Sequence, residues 1–116
     1  MLMETVVRRF FEVMNEHDVD DLDSLFTADA ELVMGPHTAR GLEEIREVVL
    51  QSPLDLLITS EPTNVEVGDD RAVVAFRRRQ VWRESDEPAL EEGLWAVFTF
   101  DGGRIARAEL LREPPP

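Results

Sequence analysis

Between Val6 and Val49 the chain sets out a short helix-rich block in a distinctive order, and after it the pattern turns to alternating strands. The order is helix, short helix, strand, helix. Leu2, Val6, Phe10, Val13 and Met14 recur at spacings of three and four, which predicts a first helix from about Leu2 to Glu16 with one buried stripe. Asn15 to Asp18 breaks it. Asp20 is placed to cap a second helix of one to two turns, with Asp23 near its positive end and Leu22, Leu25 and Phe26 facing inward. Ala30 to Met34 reads as a short strand and Gly35-Pro36-His37 as a loop. Gly41 opens a third helix that buries Leu42, Ile45, Val48 and Val49, and Pro53 ends it.

The remainder reads as β-structure. Leu54 to Thr59 is a candidate strand whose pairing the pattern leaves open, and Val65 to Val67 follows after Pro62. Gly68-Asp69-Asp70 turns into a long strand from Arg71 to about Arg83. A polar loop, Glu84 to Pro88, leads to a strand from Leu90 to Phe100. Asp101-Gly102-Gly103 is a strong hairpin signal, and Arg104 to Arg112 is the last strand. The expected architecture is one α+β domain over residues 1–112, with a Pro-rich tail, residues 113–116, that cannot pair in a sheet.

Composition works mainly by exclusion. A chain of 116 residues supports one core that buries about two thirds of the unfolded surface. With no Cys, no Lys and no Tyr, thiolate metal sites, thiol nucleophiles, side-chain Schiff bases and tyrosine acids are all unavailable. A formal charge of −13 repels nucleic acid and anionic membrane. No apolar run approaches spanning length, and the first residues show neither a basic region nor a cleavable apolar segment, so a cytoplasmic location is expected.

The stretch Val6-Val-Arg-Arg-Phe10, Asn15, Asp18-Val-Asp-Asp-Leu-Asp-Ser-Leu-Phe26, Asp29-Ala30 resembles the opening of the bacterial ketosteroid isomerases. The whole element order resembles the nuclear transport factor 2-like superfamily in its SnoaL-like branch. That resemblance implies a cone: a curved, mostly antiparallel sheet wraps three N-terminal helices and leaves an apolar pocket at the open end. Members include isomerases, cyclases, dehydratases, epoxide hydrolases and domains with no activity.

Isomerase chemistry needs a carboxylate to shuttle a proton and two donors to hold the dienolate oxygen. By the resemblance, the Tyr position falls on Phe10, the base position on Met34 and the Asp position on Ala96. The chain is therefore not expected to be a ketosteroid isomerase. The acid that SnoaL-type cyclases carry on the last strand falls on Leu110. Glu109 is one residue away and faces the other side. The Arg-x-Asp pattern of the family's epoxide hydrolases appears as Arg78-x-Gln80, with the acid replaced by an amide.

Strand parity identifies what is left. If Phe76 and Ala96 face inward, Val74, Arg78, Gln80 and Trp82 share that face on the long strand. On the next, Leu90, Glu92, Leu94 and Phe98 share it. A hairpin centred on Asp86 sets Gln80 opposite Glu92 and Arg78 diagonal to it. The expected site is a polar cluster of Arg78, Gln80 and Glu92 at the wall or mouth of a pocket lined by Phe10, Met14, Met34, Phe76, Trp82, Leu94, Ala96, Phe98 and Leu110. The competing reading is a cross-strand ion pair with no ligand. His37 reads first as a surface loop histidine, with a pocket-edge acid or base as the lesser alternative. His17 reads as an exposed charge partner at a helix end, and Arg77, Arg79 and Arg83 as an outer face paired with acids.

From Leu94 to Phe100 both faces of the strand are largely apolar, so its convex side needs cover. A homodimer with Trp95 and Val97 at the interface is the expected partner arrangement. No metal or other cofactor is expected. Two function classes stay open: a domain without turnover, binding a small, largely apolar molecule with one polar end or serving as a structural or regulatory module, and an enzyme on such a molecule using Glu92 or His37 as base and Arg78 as anchor.

Overall fold

The computed structural model describes residues 2–51 and 55–115. In chain order its elements are α1 (Met3–Glu16), α2 (Leu22–Leu25), β1 (Phe26–Met34), β2 (His37–Arg40), α3 (Gly41–Leu50), β3 (Leu56–Val67), β4 (Arg71–Trp82), β5 (Pro88–Asp101) and β6 (Arg104–Leu111). The strands form one six-stranded curved sheet in the order β2-β1-β6-β5-β4-β3. Among the described residues only the β1–β6 pair is parallel; the other neighbours are antiparallel. The expected α+β cone is the observed architecture. Pro53 as a helix stop and Leu54 as a strand start lie outside the described residues.

The buried face of α1 is wider than a single stripe, because Val7 and Phe11 join Val6, Phe10 and Val13 in the core. Leu2, expected inside, is the N-cap and is 78% exposed. At the other end His17 takes a left-handed conformation (φ 55°), and its main-chain N–H returns to the Val13 carbonyl. His17 is not the exposed charge partner expected of it. Half-buried, its Nδ1 lies 2.7 Å from the Val49 carbonyl, an acceptor, so Nδ1 carries the proton and ties α1 to α3.

Asp20 does not cap α2: the N-cap is Asp21, whose side chain makes no cap hydrogen bond. The acidic turn is organised instead by Asp18. It accepts the Asp20 main-chain N–H (3.0 Å) and an N–H of Arg9 on α1 (2.8 Å). These contacts hold the Asp18 carboxyl below its ordinary pKa, the Asp20 amide being the larger influence.

Two sheet features escaped the sequence reading. Gly35-Pro36 is a two-residue hairpin rather than an open loop, pairing Met34 with His37 and making His37–Arg40 a strand. Gly35 has φ 59°, which suits the first corner of a type II′ turn, and the fixed φ of Pro36 suits the second. Secondly, Leu56–Val67 is one strand despite Pro62. β3 is a sheet edge, and Pro62 shares the outward-bonding parity of Ser60, so its missing N–H interrupts no ladder bond. The register shifts between Pro62 and Asn64.

Ser60 shows how that edge is closed. The Asn15 side chain donates from Nδ2 to the Ser60 carbonyl (2.7 Å) and accepts the Ser60 N–H at Oδ1 (2.8 Å). One amide side chain thus imitates a neighbouring strand and fixes the end of α1 against β3. Removing it leaves both Ser60 groups without their partner in a half-buried site. Asn15→Ala is expected to lower unfolding free energy by about 1–2 kcal/mol. Asn15→Asp is expected to be no better, since a carboxylate would face the Ser60 carbonyl. Urea denaturation of the three proteins measures this, and an unchanged midpoint in Asn15→Ala would refute the clamp.

Candidate functional site

The long hairpin sets the polar residues of the cone. β4 and β5 pair Arg78 directly with Glu92 and Gln80 with Leu90, so the hairpin is centred one residue earlier than expected, at Ser85. Asp86 occupies a left-handed corner (φ 56°) inside the turn, and the register shifts between Gln80 and Val81. The expected Gln80–Glu92 opposition is thereby corrected. Gln80 belongs to a different rung, beside Leu90 and Ile58.

Arg78 and Glu92 form the centre of a three-residue network. Arg78 Nε donates to Glu92 Oε1 at 3.1 Å, and Arg78 Nη2 donates to the same oxygen. Glu92 Oε2 accepts from Arg112 Nη1 at 3.1 Å. The pair is mostly enclosed, with side chains 27% and 20% exposed, whereas Arg112 lies in solvent. Hydrogen bonding from Arg78 holds the Glu92 carboxyl below its ordinary pKa of 4.5, against the opposing effect of burial; Arg112 adds to the lowering.

A groove of about 410 Å³ opens beside this network, lined by Met34, Gly35, Pro36, Arg78, Leu94, Leu110, Leu111 and Arg112. It sits at the mouth, not in the depth, of the cone. The depth is filled by rings: Phe10 packs edge-on against Phe98 at 5.0 Å and Phe11 at 5.3 Å, and Phe11 meets Phe76 at 5.1 Å. Phe10, Phe76, Ala96 and Phe98, expected to line a pocket, are therefore sealed in the core, and Met14 packs against it. Trp82 is also displaced from the groove. It pairs with Leu56 near the far end of β4 and is 46% exposed.

Of the expected lining residues, Met34, Arg78, Leu94 and Leu110 border the groove. Arg112 was missed, although the two-residue period that turns Leu110 inward continues to it. Pro36 and Gly35 were missed with the β1–β2 hairpin. On β6, Leu110 borders the groove as its parity implies and Glu109 pairs with Arg107 at 3.4 Å, but Leu111, of the opposite parity and at the strand's end, borders the groove as well and was missed. His37 is exposed at the start of β2 and does not border the groove. Among the described residues, no group of three or more His, Cys, Asp or Glu could hold a metal ion.

On the convex side, Trp95 and Val97 are half-buried. Their register neighbours are Ala75 and Val73 on β4 and Leu111 and Glu109 on β6. Arg77 and Glu91, 2.8 Å apart, lie beside this strip. No helix among the described residues is long and apolar enough to cross a membrane.

The SnoaL-like domain family model matches residues 7–108. No curated protein matches the chain. Among solved structures, a candidate polyketide cyclase from Sinorhizobium meliloti is 26% identical, with TM-score 0.70, covering 91% of this chain and 93% of that one. A protein of unknown function from Burkholderia pseudomallei with the nuclear transport factor 2-like fold is 19% identical, with TM-score 0.78, covering 96% and 90%. An epoxide hydrolase of the LEH-like type from M. tuberculosis is 14% identical, with TM-score 0.76, covering 94% and 76%. The last two likenesses bear on the fold alone.

The network makes a pH prediction. A carboxyl with a folded pKa below its unfolded value stabilises the fold above the unfolded value and loses that contribution as pH falls through the folded one. Glu92 is such a group. From about pH 5 downward, the wild type is expected to lose stability more steeply than Glu92→Gln. Thermal unfolding of both proteins across that range measures the difference, and parallel curves would remove Glu92 as a source of acid sensitivity.

Proposed function

The chain belongs to the SnoaL-like domain family, and from that premise we propose that it binds a small, largely apolar molecule with one polar end at the mouth of the cone. One observation carries the reading: a groove of about 410 Å³ with an apolar wall of Met34, Pro36, Leu94, Leu110 and Leu111 and the guanidinium of Arg78 on its border. That volume lies in the ordinary range of small-molecule sites, from about 300 Å³ upward. Arg78 is fixed in place by Glu92 through Nε and Nη2, while Nη1 makes no hydrogen bond among the described residues. It supplies a pre-oriented donor, which lowers the ordering cost of binding.

The chemical groups of the isomerases are absent from their positions: Phe10 and Ala96 are core residues, and Met34 brings a thioether to the groove. An enzyme using Glu92 or His37 as base receives less support. Glu92 is engaged by two arginines, which makes it a weak base, and His37 stands outside the groove. Binding without turnover is the reading that the residues favour.

We also propose that the convex strip of Trp95 and Val97 is covered by a second copy of the chain. Half-buried apolar side chains in mid-sheet, with Val73 and Ala75 beside them, form a contiguous surface suited to self-association. A stable monomer by light scattering at micromolar concentration would sink this.

For the groove, native mass spectrometry of purified protein is expected to show co-purified small molecules that are reduced or lost in Arg78→Ala. An identical ligand set in the variant would dismiss Arg78 as the anchor. Leu110→Trp fills the groove from its apolar side and is expected to lower occupancy by about tenfold or more, with unfolding checked in parallel.

A further inference from the structure

Among the described residues, the side chains bordering the groove offer charged donors and no charged acceptor. Arg78 and Arg112 both border it, and Glu92 does not. Glu92 instead lies between the two guanidinium groups, taking Arg78 on Oε1 and Arg112 on Oε2. Among the described residues, this network of two cations and one anion carries a single net positive charge. This occurs on a chain whose formal charge is −13, so the rim departs locally from the sign of the whole molecule.

That arrangement selects among polar ends. An ammonium or amine would meet two guanidinium groups with no facing carboxylate, and its own donors would go unpaired. A neutral amide could use its carbonyl but would leave its N–H₂ without an acceptor side chain. A dianion would bring more charge than the rim neutralises, into the field of an acidic protein. A single negative charge with acceptor atoms only matches both the charge and the hydrogen bonds. Three N–H groups of Arg78 and four of Arg112 remain beyond those that Glu92 takes, from the five donors each guanidinium carries.

We infer that the groove takes a monoanionic amphiphile, its carboxylate, enolate or phenolate oxygen on Arg78 and Arg112 and its apolar ring or chain against Met34, Leu94 and Leu110. This rests on the ligand-binding reading above and narrows it to a substrate class. Glu92 is then a positioning residue: it holds Arg78 and Arg112 as one unit and sets the net charge of the rim to one. Arg112 is a specificity residue, 76% exposed and therefore replaceable without disturbing the core.

Three probes of one shape test this: 2-naphthoate, 2-naphthamide and 2-naphthylmethylammonium, titrated calorimetrically and followed by the methyl NMR signals of Leu94 and Leu110. Naphthoate is expected to bind about tenfold or more tightly than naphthamide, with the ammonium weakest. The preference is expected to shrink with added salt. Arg112→Gln is expected to lower naphthoate affinity about fivefold or more and leave naphthamide unchanged. If acid and amide shift the groove methyls with equal affinity, the groove still binds ligands but the monoanion proposal is overturned. A naphthoate preference that survives in both Arg112→Gln and Arg78→Gln overturns it too, by placing the anion elsewhere. If none of the probes moves the groove methyls, the ligand-binding reading falls, and this inference with it.

Discussion

The packing of Phe10 against Phe98 governs what this cone can be. Phe10 comes from the helix inside the cone and Phe98 from the middle of the sheet, and their rings meet edge-on at 5.0 Å. Edge-to-face contacts of buried aromatics add about 0.5–1.5 kcal/mol beyond their burial. Phe11, Phe26, Phe76 and Phe100 extend the cluster. Filled this way, the interior is a core, and the groove beside Arg78 lies outside it. The shallow groove is a consequence of the ring packing. A cavity reaching Phe10 and Ala96 would require those rings to separate, at the cost that cavities in close-packed cores carry.

A rim site has different physics from a deep one. Water reaches part of it, so a lone ion pair there contributes little, about 0–1 kcal/mol. The Arg78–Glu92 pair departs from that case because both side chains are mostly enclosed and two N–H groups of one guanidinium converge on one oxygen. Its value is geometric. A free arginine at a rim samples many rotamers, and a ligand must pay to order it. Glu92 orders Arg78 in advance from one side and accepts from Arg112, just past the end of β6, on the other. The groove therefore has one ordered donor, Arg78, and one exposed donor, Arg112, next to an apolar wall contributed by three strands.

The cone was legible in the sequence because its determinants are local. Helical spacing from Val6 to Val13, the break at Asn15 to Asp18, and the Asp101-Gly102-Gly103 turn each fix a short stretch of backbone, and the glycines there do adopt φ 60° and 82°. The inward parity of Leu110 and the outward turn of Glu109 were legible for the same reason: a strand has period two. What failed depends on partners distant in sequence. Pro62 looked like a strand breaker, but position on a sheet edge decides whether a missing N–H matters, and the sequence does not mark edges. Gly35-Pro36 looked like a loop because its meaning as a type II′ corner depends on Met34 and His37 being paired. The hairpin register slipped by one residue at its centre. That slip exchanged Gln80 for Arg78 as the partner of Glu92, and so concealed the network's geometry.

Asn15 joins the two kinds of information. From the sequence it marks only the end of a helix; in the structure its amide occupies the outer edge of β3 at Ser60, directly across the sheet rung from Arg78. The rung Ser60–Arg78–Glu92 thus runs from a clamped edge, through the guanidinium, to the carboxylate that fixes it. The clamp limits fraying of β3, and β3 in turn supports one flank of β4 where Arg78 departs. An unclamped edge would let β3 peel from β4 and loosen the backbone that aims Arg78. The residues that resemble the isomerase opening most closely therefore serve this chain as architecture. They position a rim of arginines in a fold whose interior has been given over to phenylalanine.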